Sequence, residues 1–287
     1  MLSRTTRAGL ALAGASFLFG STFVVIKDAV ATFPPISFVT WRFLLGGLVL
    51  MVFVPPRGKS VWRDGAVAGS LLFVGYSLQT AGLVTTGASN SALITGLFII
   101  FTPLLAALLY RRRLALGVAA AALLAFVGVV FLTYRPQMAL VRGDLLTAGA
   151  AVAFAGHIIA LDRMAHRHSL VPFTAVQLLI TGILALPLAA TTEGIPLPGR
   201  SELPAILITA FGVSIGGYLL QLWAQTIISP SRTAIILALE PAFAVATAAV
   251  VLDERLTMAG WVGAGLIMGA ILLVIRFGAA EFAGRDG

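Results

Sequence analysis

Long apolar runs alternate along the chain with short polar or proline-containing breaks. A bilayer core about 30 Å thick takes roughly 20 helical residues to cross. Ten runs reach that length, at about 8–26, 36–54, 66–86, 91–110, 114–133, 143–161, 172–190, 203–227, 232–252 and 257–276. None of them alternates polar and apolar residues with the two-residue period of a strand. The pattern therefore predicts an all-α membrane protein with ten transmembrane helices.

Composition points the same way. Hydrophobic residues make up 59% of the chain, charged residues only 10%, and the mean hydropathy is +1.03. A soluble domain needs far more polar surface than this. The breaks between the apolar runs are also too short to hold a soluble domain. We expect the protein to act inside the bilayer.

The chain contains an internal duplication. Tyr-Ser-Leu-Gln at 76–79 and Tyr-Leu-Leu-Gln at 218–221 align at an offset of 142, and the residues that follow stay in register. Only four Tyr and five Gln are present, so a doubled Tyr-x-x-Gln arises by chance much less often than a match between Ala or Leu residues. Two halves of five spans each, 1–134 and 135–287, are predicted.

The first apolar run belongs to the same duplication. Residues 1–31 also have the charge and apolar pattern of a secretory signal, but the run exceeds the usual 7–15 residues. At an offset of 135, Arg7, Leu10 and Phe19 match residues 142, 145 and 154. We therefore expect the segment to remain as the first span.

Five spans per copy fix the relation between the copies. Because five is odd, the second copy enters the membrane from the opposite side, which makes the repeats inverted. Many secondary transporters are built in this way, with substrate bound near the midplane between the halves. The duplication therefore favours small-molecule transport.

The formal net charge of +8 is distributed as a topology signal. Thirteen Lys and Arg lie at the two ends and in the 2–3, 4–5, 6–7 and 8–9 connections, whereas five lie on the other side. The positive-inside rule then predicts that both termini are cytoplasmic. This distribution argues against a nucleic-acid partner. The absence of cysteine excludes disulfides and thiolate metal sites, and no cofactor is expected.

Several motifs carry a resemblance to a known family. They lie at 19–23 (Phe-Gly-Ser-Thr-Phe), 41–43 (Trp-Arg-Phe), 234–241 and 253–256. With the five-plus-five duplication, they resemble the EamA branch of the drug/metabolite transporter superfamily over essentially the whole chain, with the overall look of its bacterial amino-acid exporters. The first half departs from the family pattern, with three arginines at 111–113. The resemblance implies export of amino acids or similar metabolites across a bacterial inner membrane.

Polar side chains on helix faces mark a candidate cavity. Four spans carry them at helical spacing: Tyr76 and Gln79; Ser91, Thr95, Phe98 and Thr102; Ser214, Tyr218, Gln221 and Gln225; Thr233 and Glu240. Hydrogen bonding between helices would account for scattered Ser and Thr. Tyr and Gln repeated on matching faces favour a cavity lining.

Three ionisable residues lie well inside predicted spans. Glu240 is about 12 Å from the cytoplasmic end of span 9 and precedes Pro241. Its carboxyl either takes part in proton coupling or is a neutral acid bonded to freed backbone. His157 is either a cavity-facing donor or a packed histidine. Arg42 is expected to snorkel towards the outer surface, with binding of a carboxylate as the alternative.

The predicted substrate-binding residues are Trp41, Tyr76, Gln79, Thr95, Phe98, His157, Tyr218, Gln221 and Glu240. Trp41 fits either this set or an interfacial anchor. Aromatic, amide and few charged groups favour aromatic or other neutral amino acids, while other metabolites and small drugs remain open. The partners expected are a small-molecule substrate and the lipid bilayer, with a monomer as the assembly state.

Two other functional classes fit the sequence less well. An enzyme is disfavoured because His-Glu-x-x-His, Gly-x-Ser-x-Gly and clustered metal ligands are all missing. An uncoupled channel would show a ring of like charges or a filter-like loop, and neither is visible. A secondary transporter working by alternating access is the preferred function.

Overall fold

The computed structural model describes residues 3–109, 116–133, 141–228, 239–253 and 255–282, with positions 233, 236 and 237. These residues form helices and connecting turns, with no strand among them. The first half contains α1 (Arg4–Ala29), α2 (Pro35–Phe53), α3 (Lys59–Leu83), α4 (Ala88–Thr95), α5 (Phe98–Leu109) and α6 (Leu116–Thr133). The second contains α7 (Arg142–Met164), α8 (Leu170–Thr192), α9 (Leu203–Leu207), a π-helix (Ile208–Gly217), α10 (Tyr218–Gln225), α11 (Glu240–Val251) and α12 (Met258–Phe282).

The all-α membrane architecture is confirmed. Within the described part of the chain, seven helices are long and apolar enough to cross a membrane: Arg4–Ala29, Pro35–Phe53, Lys59–Leu83, Ala88–Leu109, Arg142–Arg167, Leu170–Thr192 and Leu203–Gln225. The other three predicted segments overlap α6, α11 and α12, which fall outside this set. The arginines at 111–113 and 232, the motif at 234–235 and the boundary between the halves lie outside the described residues.

Two predicted spans are not continuous helices. The run at 91–110 breaks at Gly96 and Leu97, between α4 and α5, and the run at 232–252 has a turn at Leu239 before α11. The two breaks touch, since a Cβ added to Gly96 would lie 2.7 Å from Pro241 Cγ. Pro241 cannot donate a backbone hydrogen bond to Leu237, which favours ending the first segment there. The apolar pattern continues through both breaks and could not reveal them.

The predicted span at 203–227 contains a ten-residue π-helix at Ile208–Gly217. In a π-helix the backbone hydrogen bonds run from i to i+5, so the sequence spacing that places side chains on one face differs from that of an α-helix. The prediction that Ser214 shares one face with Tyr218 and Gln221 assumed a continuous α-helix. That assumption is wrong, because Ser214 lies in the π-helix and bonds to Arg42 on α2.

Helix crossings recur in matching pairs across the molecule. Where α2 crosses α8, a Cβ on Gly47 would lie 2.6 Å from Leu179 N, and one on Gly182 would lie 2.6 Å from Leu44 N. Both Leu44 with Leu179 and Gly47 with Gly182 are 135 residues apart. The crossing is therefore reciprocal at the spacing seen in the sequence.

A second matching pair lies beside the centre of the molecule. A Cβ on Gly75 would lie 2.6 Å from Phe154 Cε1, and one on Gly217 would lie 2.7 Å from Phe19 Cε1. The glycines differ by 142 residues and the phenylalanines by 135. The packing of α3 on α7 is thus repeated by the π-helix on α1.

Ionic and capping contacts hold the helix ends. At one end of the bundle, the Glu193 carboxylate accepts from Ile36 N at 3.1 Å and Ser37 N at 2.9 Å in the first turn of α2. A carboxylate there compensates the positive end of the helix dipole. At the other end, Asp64 of α3 bonds His168 Nε2 at 2.9 Å.

Candidate functional site

A cavity opens among α1, α3, α7, α10 and the two broken segments. It has about 530 Å³ of empty space, mouth included. Eight of the nine predicted binding residues line it: Tyr76, Gln79, Thr95, Phe98, His157, Tyr218, Gln221 and Glu240. Seven lining residues were not predicted: Phe19, Thr22, Phe23, Ile26, Phe154, Ile158 and Leu237.

Two tyrosines at equivalent positions meet at the cavity. The Tyr218 hydroxyl donates to the Tyr76 hydroxyl at 2.9 Å, and both rings are buried. Tyr76 packs on Phe154 with ring centroids 5.1 Å apart, and Tyr218 packs on Phe19 at 5.2 Å. Gly75 and Gly217 permit these approaches, because a larger residue would collide with the phenylalanine rings. The offsets match Phe19 to Phe154, but only the structure brings that pair to the tyrosines.

The two glutamines on the matching faces have different partners. Gln79 Nε2 donates to Thr95 Oγ1 at 3.1 Å, across from α3 to α4. At the offset of 142, the position equivalent to Thr95 is Leu237, which offers no acceptor side chain. Gln221 Nε2 instead donates to Gln225 Oε1 at 3.3 Å within α10. The matching glutamines therefore do not form matching hydrogen bonds.

His157 belongs both to the cavity wall and to the helix packing. Its Nε2 lies 3.0 Å from Gln177 Oε1 on α8, and its ring meets the Tyr218 ring edge-on at 5.7 Å. Since an amide oxygen only accepts, Nε2 carries the proton in this contact. His157 is therefore a packed, hydrogen-bonded histidine, and its role as a cavity-facing donor stays a prediction.

Glu240 supplies the carboxyl of the cavity. It is the first residue of α11, directly after the turn at Leu239. Within the described part of the chain, its side chain takes part in no hydrogen bond or ion pair. A Cβ on Gly20 would lie 2.6 Å from the Glu240 backbone oxygen, so α1 passes directly over this turn. The carboxyl therefore faces the cavity from a tightly packed backbone.

Arg42 does not extend to the outer surface, so the snorkelling prediction is wrong. The side chain is 1% exposed, and its Nε donates to Ser214 Oγ at 2.8 Å. Its guanidinium carbon lies 4.8 Å from the centre of the Tyr76 ring and 5.0 Å from that of Phe43. The length of an arginine permits either direction, and Ser214 on the π-helix fixes the inward one.

Trp41 lies away from the cavity, unlike the other predicted binding residues. Its indole Nε1 donates to the Pro196 carbonyl at 2.9 Å, in the connection after α8. This is the contact of a residue that fastens a helix end to a loop.

The cavity combines aromatic rings, amides, hydroxyls, one imidazole and one carboxyl. Among the described residues no group of three or more His, Asp or Glu could hold a metal ion. Such a wall offers hydrogen bonds and ring faces to a small polar or amphipathic molecule.

The comparisons with known proteins concern nearly the whole chain. Residues 6–134 and 141–276 each match the EamA-like transporter family. An uncharacterized transporter of Archaeoglobus fulgidus is 32% identical over 93% of this chain and 85% of its own length. A probable amino-acid metabolite efflux pump of Escherichia coli is 26% identical over 88% and 89%, respectively.

The fold also has a solved counterpart. A crystal structure with 22% identity covers 98% of this chain and 100% of its own, with a TM-score of 0.69. At that identity the likeness concerns the fold alone. The expected special likeness to the bacterial amino-acid exporters of the family is not confirmed, since the E. coli efflux pump is only 26% identical. Because the family matches both halves and a relative above 30% identity spans most of the chain, the chain belongs to the EamA-like transporter family.

Proposed function

We propose that this multi-pass membrane transporter exports small amino-acid-like metabolites across the bacterial inner membrane by alternating access. The observation that carries the proposal is the cavity at the Tyr76–Tyr218 contact, where equivalent residues of the two halves meet. Its aromatic rings, amides and single carboxyl suit a neutral amino acid, aromatic ones above all. The E. coli relative, named as a probable amino-acid metabolite efflux pump, supports the same substrate class.

The proposed architecture is ten spans in two inverted repeats, 1–134 and 135–287. Two separate matches to one family model support the division. The reciprocal crossing of Gly47 and Gly182 on α2 and α8 supports a two-fold relation between the halves. In an inverted arrangement a substrate site lies between the repeats, often at broken helices. The breaks at Gly96 and Leu239 border the cavity and agree with that rule.

The repeated packing of the two halves supports alternating access as the mechanism. Equivalent helices such as α1 and α7 have near-identical glycine–phenylalanine contacts, and both phenylalanines line the cavity. Two halves of similar sequence can exchange conformations, so that the side of the cavity that opens is reversed. We propose that this exchange moves the substrate and that protonation of Glu240 biases it.

Counterflow in proteoliposomes tests the transport proposal. Vesicles are loaded with an unlabelled amino acid at millimolar concentration, and uptake of the labelled compound is followed. A carrier accumulates label transiently, and its uptake rate saturates with substrate concentration. An uncoupled channel only equilibrates the label, and its uptake rate rises linearly with concentration. We expect transient, saturable accumulation for at least one neutral amino acid in a panel of aromatic and aliphatic compounds. Absence of flux for the entire panel would exclude the proposed substrate class.

A further inference from the structure

Arg42 is a buried cation without a carboxylate partner in the described part of the chain. It has the largest of the fully buried side chains, and none of the ion pairs there includes it. A guanidinium has five N–H donors. Its Nε bonds Ser214, while Nη2 has no hydrogen-bond partner. Ionisable residues inside membrane spans are costly and are by default functional candidates.

The charge of Arg42 lies beside the cavity wall. Its guanidinium carbon is 4.8 Å from the centre of the Tyr76 ring, and Tyr76 lines the cavity. Ring faces attract cations but do not neutralise them. In a low-dielectric interior, a charge one ring away still acts strongly on a group in the cavity. Within the described part of the chain, the cavity therefore has on its Tyr76 side a positive charge that no ion pair neutralises.

We propose that Arg42 makes the transporter select substrates that carry a carboxylate. This inference rests on the proposed function, because it concerns the substrate of that cavity. A carboxylate bound near Tyr76 supplies the anion that Arg42 lacks, and arginine–carboxylate attraction is among the stronger polar interactions in proteins. Arg42 acts as a specificity-determining residue across the ring and need not contact the substrate.

The test compares an amino acid with its carboxamide, which keeps the side chain and the ammonium but lacks the carboxylate. Phenylalanine and phenylalaninamide compete for labelled phenylalanine counterflow, or the corresponding pair is used for the panel amino acid with the strongest flux. We expect wild type to prefer the carboxylate about tenfold, which corresponds to about 1.4 kcal/mol. Arg42→Gln should reduce the ratio to about one, and Arg42→Lys, which retains the charge, should keep most of it.

Arg57→Gln is the matched control. Arg57 is exposed, and this change removes the same charge outside the cavity; the tenfold preference should be unchanged. A wild type that transports the amino acid without preferring it over the carboxamide overturns the inference, as does an Arg42→Gln protein that retains the preference. If Arg42→Gln fails to fold, the preference ratios of wild type and Arg42→Lys test the inference. A ratio near one in either protein overturns it. Absence of all amino-acid flux in wild type instead refutes the proposed function.

Discussion

Tyr76 and Tyr218 show how much a single repeated residue can indicate. Their side chains were predicted to line a cavity because tyrosine and glutamine recur on matching faces, and the structure places both pairs on its wall. The bond between the two hydroxyls, at 2.9 Å, was not predictable, because spacing along a helix gives a face and not a partner. At the residue scale the duplication identifies positions, and packing decides their contacts.

Glu240 gives the first prediction, on coupling. Glu240→Gln replaces the cavity carboxyl with a neutral group of nearly the same shape, and a buried carboxylate costs several kcal/mol to ionise without a partner. We expect the variant to fold and to retain counterflow, but to lose accumulation driven by a pH gradient. Accumulation is measured in proteoliposomes with an imposed gradient. Accumulation with wild-type pH dependence would make the carboxyl structural.

Physical reasons explain why some contacts and cavity residues could not be predicted from the sequence. Phe19 and Phe154 were matched by the offset, but nothing in an apolar chain separates a phenylalanine on a cavity wall from one facing lipid. Arg42 was assigned the wrong direction because its stem can extend either way. Its hydrogen-bond partner Ser214 is reached through a π-helix that the sequence does not signal.

At the element scale, glycines separate close crossings from open surfaces. Gly-xxx-Gly spacings, such as those that begin at Gly65, Gly212 and Gly265, are typical of tight helix packing. Gly65 and Gly69 of α3 do meet α8 closely, since a Cβ on either would lie within 2.6 Å of an α8 atom. Gly212 and Gly265 have nothing within 4 Å of such a Cβ. The spacing alone therefore does not identify a helix interface.

Gly47 gives the prediction at this scale. A Cβ there would lie 2.6 Å from Leu179 N and 2.7 Å from Leu179 Cα, and backbone atoms cannot move aside cheaply. Gly47→Ala should destabilise the α2–α8 crossing by about 1–3 kcal/mol, the usual range for overpacking. The loss is measured as a lower melting temperature in detergent. Gly265→Ala, on the open face of α12, should leave that temperature unchanged or raise it, because alanine favours helix. An equal loss of melting temperature in both variants would contradict the close contact of α2 with α8.

At the scale of the whole molecule, the sequence indicated the membrane architecture and the duplication but not where helices break. Apolar residues continue on both sides of Gly96 and Leu239, and the neighbouring Thr95 and Glu240 do not mark a break in the sequence. In the structure the two broken segments contact each other at Gly96 and Pro241. The reciprocal crossings depend on three-dimensional packing, although they follow the offsets of the sequence. Local pattern predicts which segments enter the membrane, and tertiary contacts determine how they are interrupted.

The proposed orientation gives a prediction for the whole molecule. Because the chain has no cysteine, single replacements report sidedness without background. Thr85 and Arg167 are both exposed and are predicted to lie on opposite sides. In intact cells, Thr85→Cys should react with an impermeant maleimide, and Arg167→Cys should react only after the membrane is opened. The reverse labelling would overturn the cytoplasmic placement of the termini.

Substrate affinity in cavity variants tests the central claim most directly, that the Tyr76–Tyr218 cavity is the transport site. The measurement is the half-saturating substrate concentration for counterflow in Gln79→Ala and Gln221→Ala, compared with Ser70→Ala, an exposed change on α3. Loss of one hydrogen bond to substrate should raise that concentration about fivefold to tenfold in both glutamine variants, with folded yield intact and Ser70→Ala equal to wild type. Wild-type kinetics in both well-folded glutamine variants would contradict the account and assign these residues to helix packing.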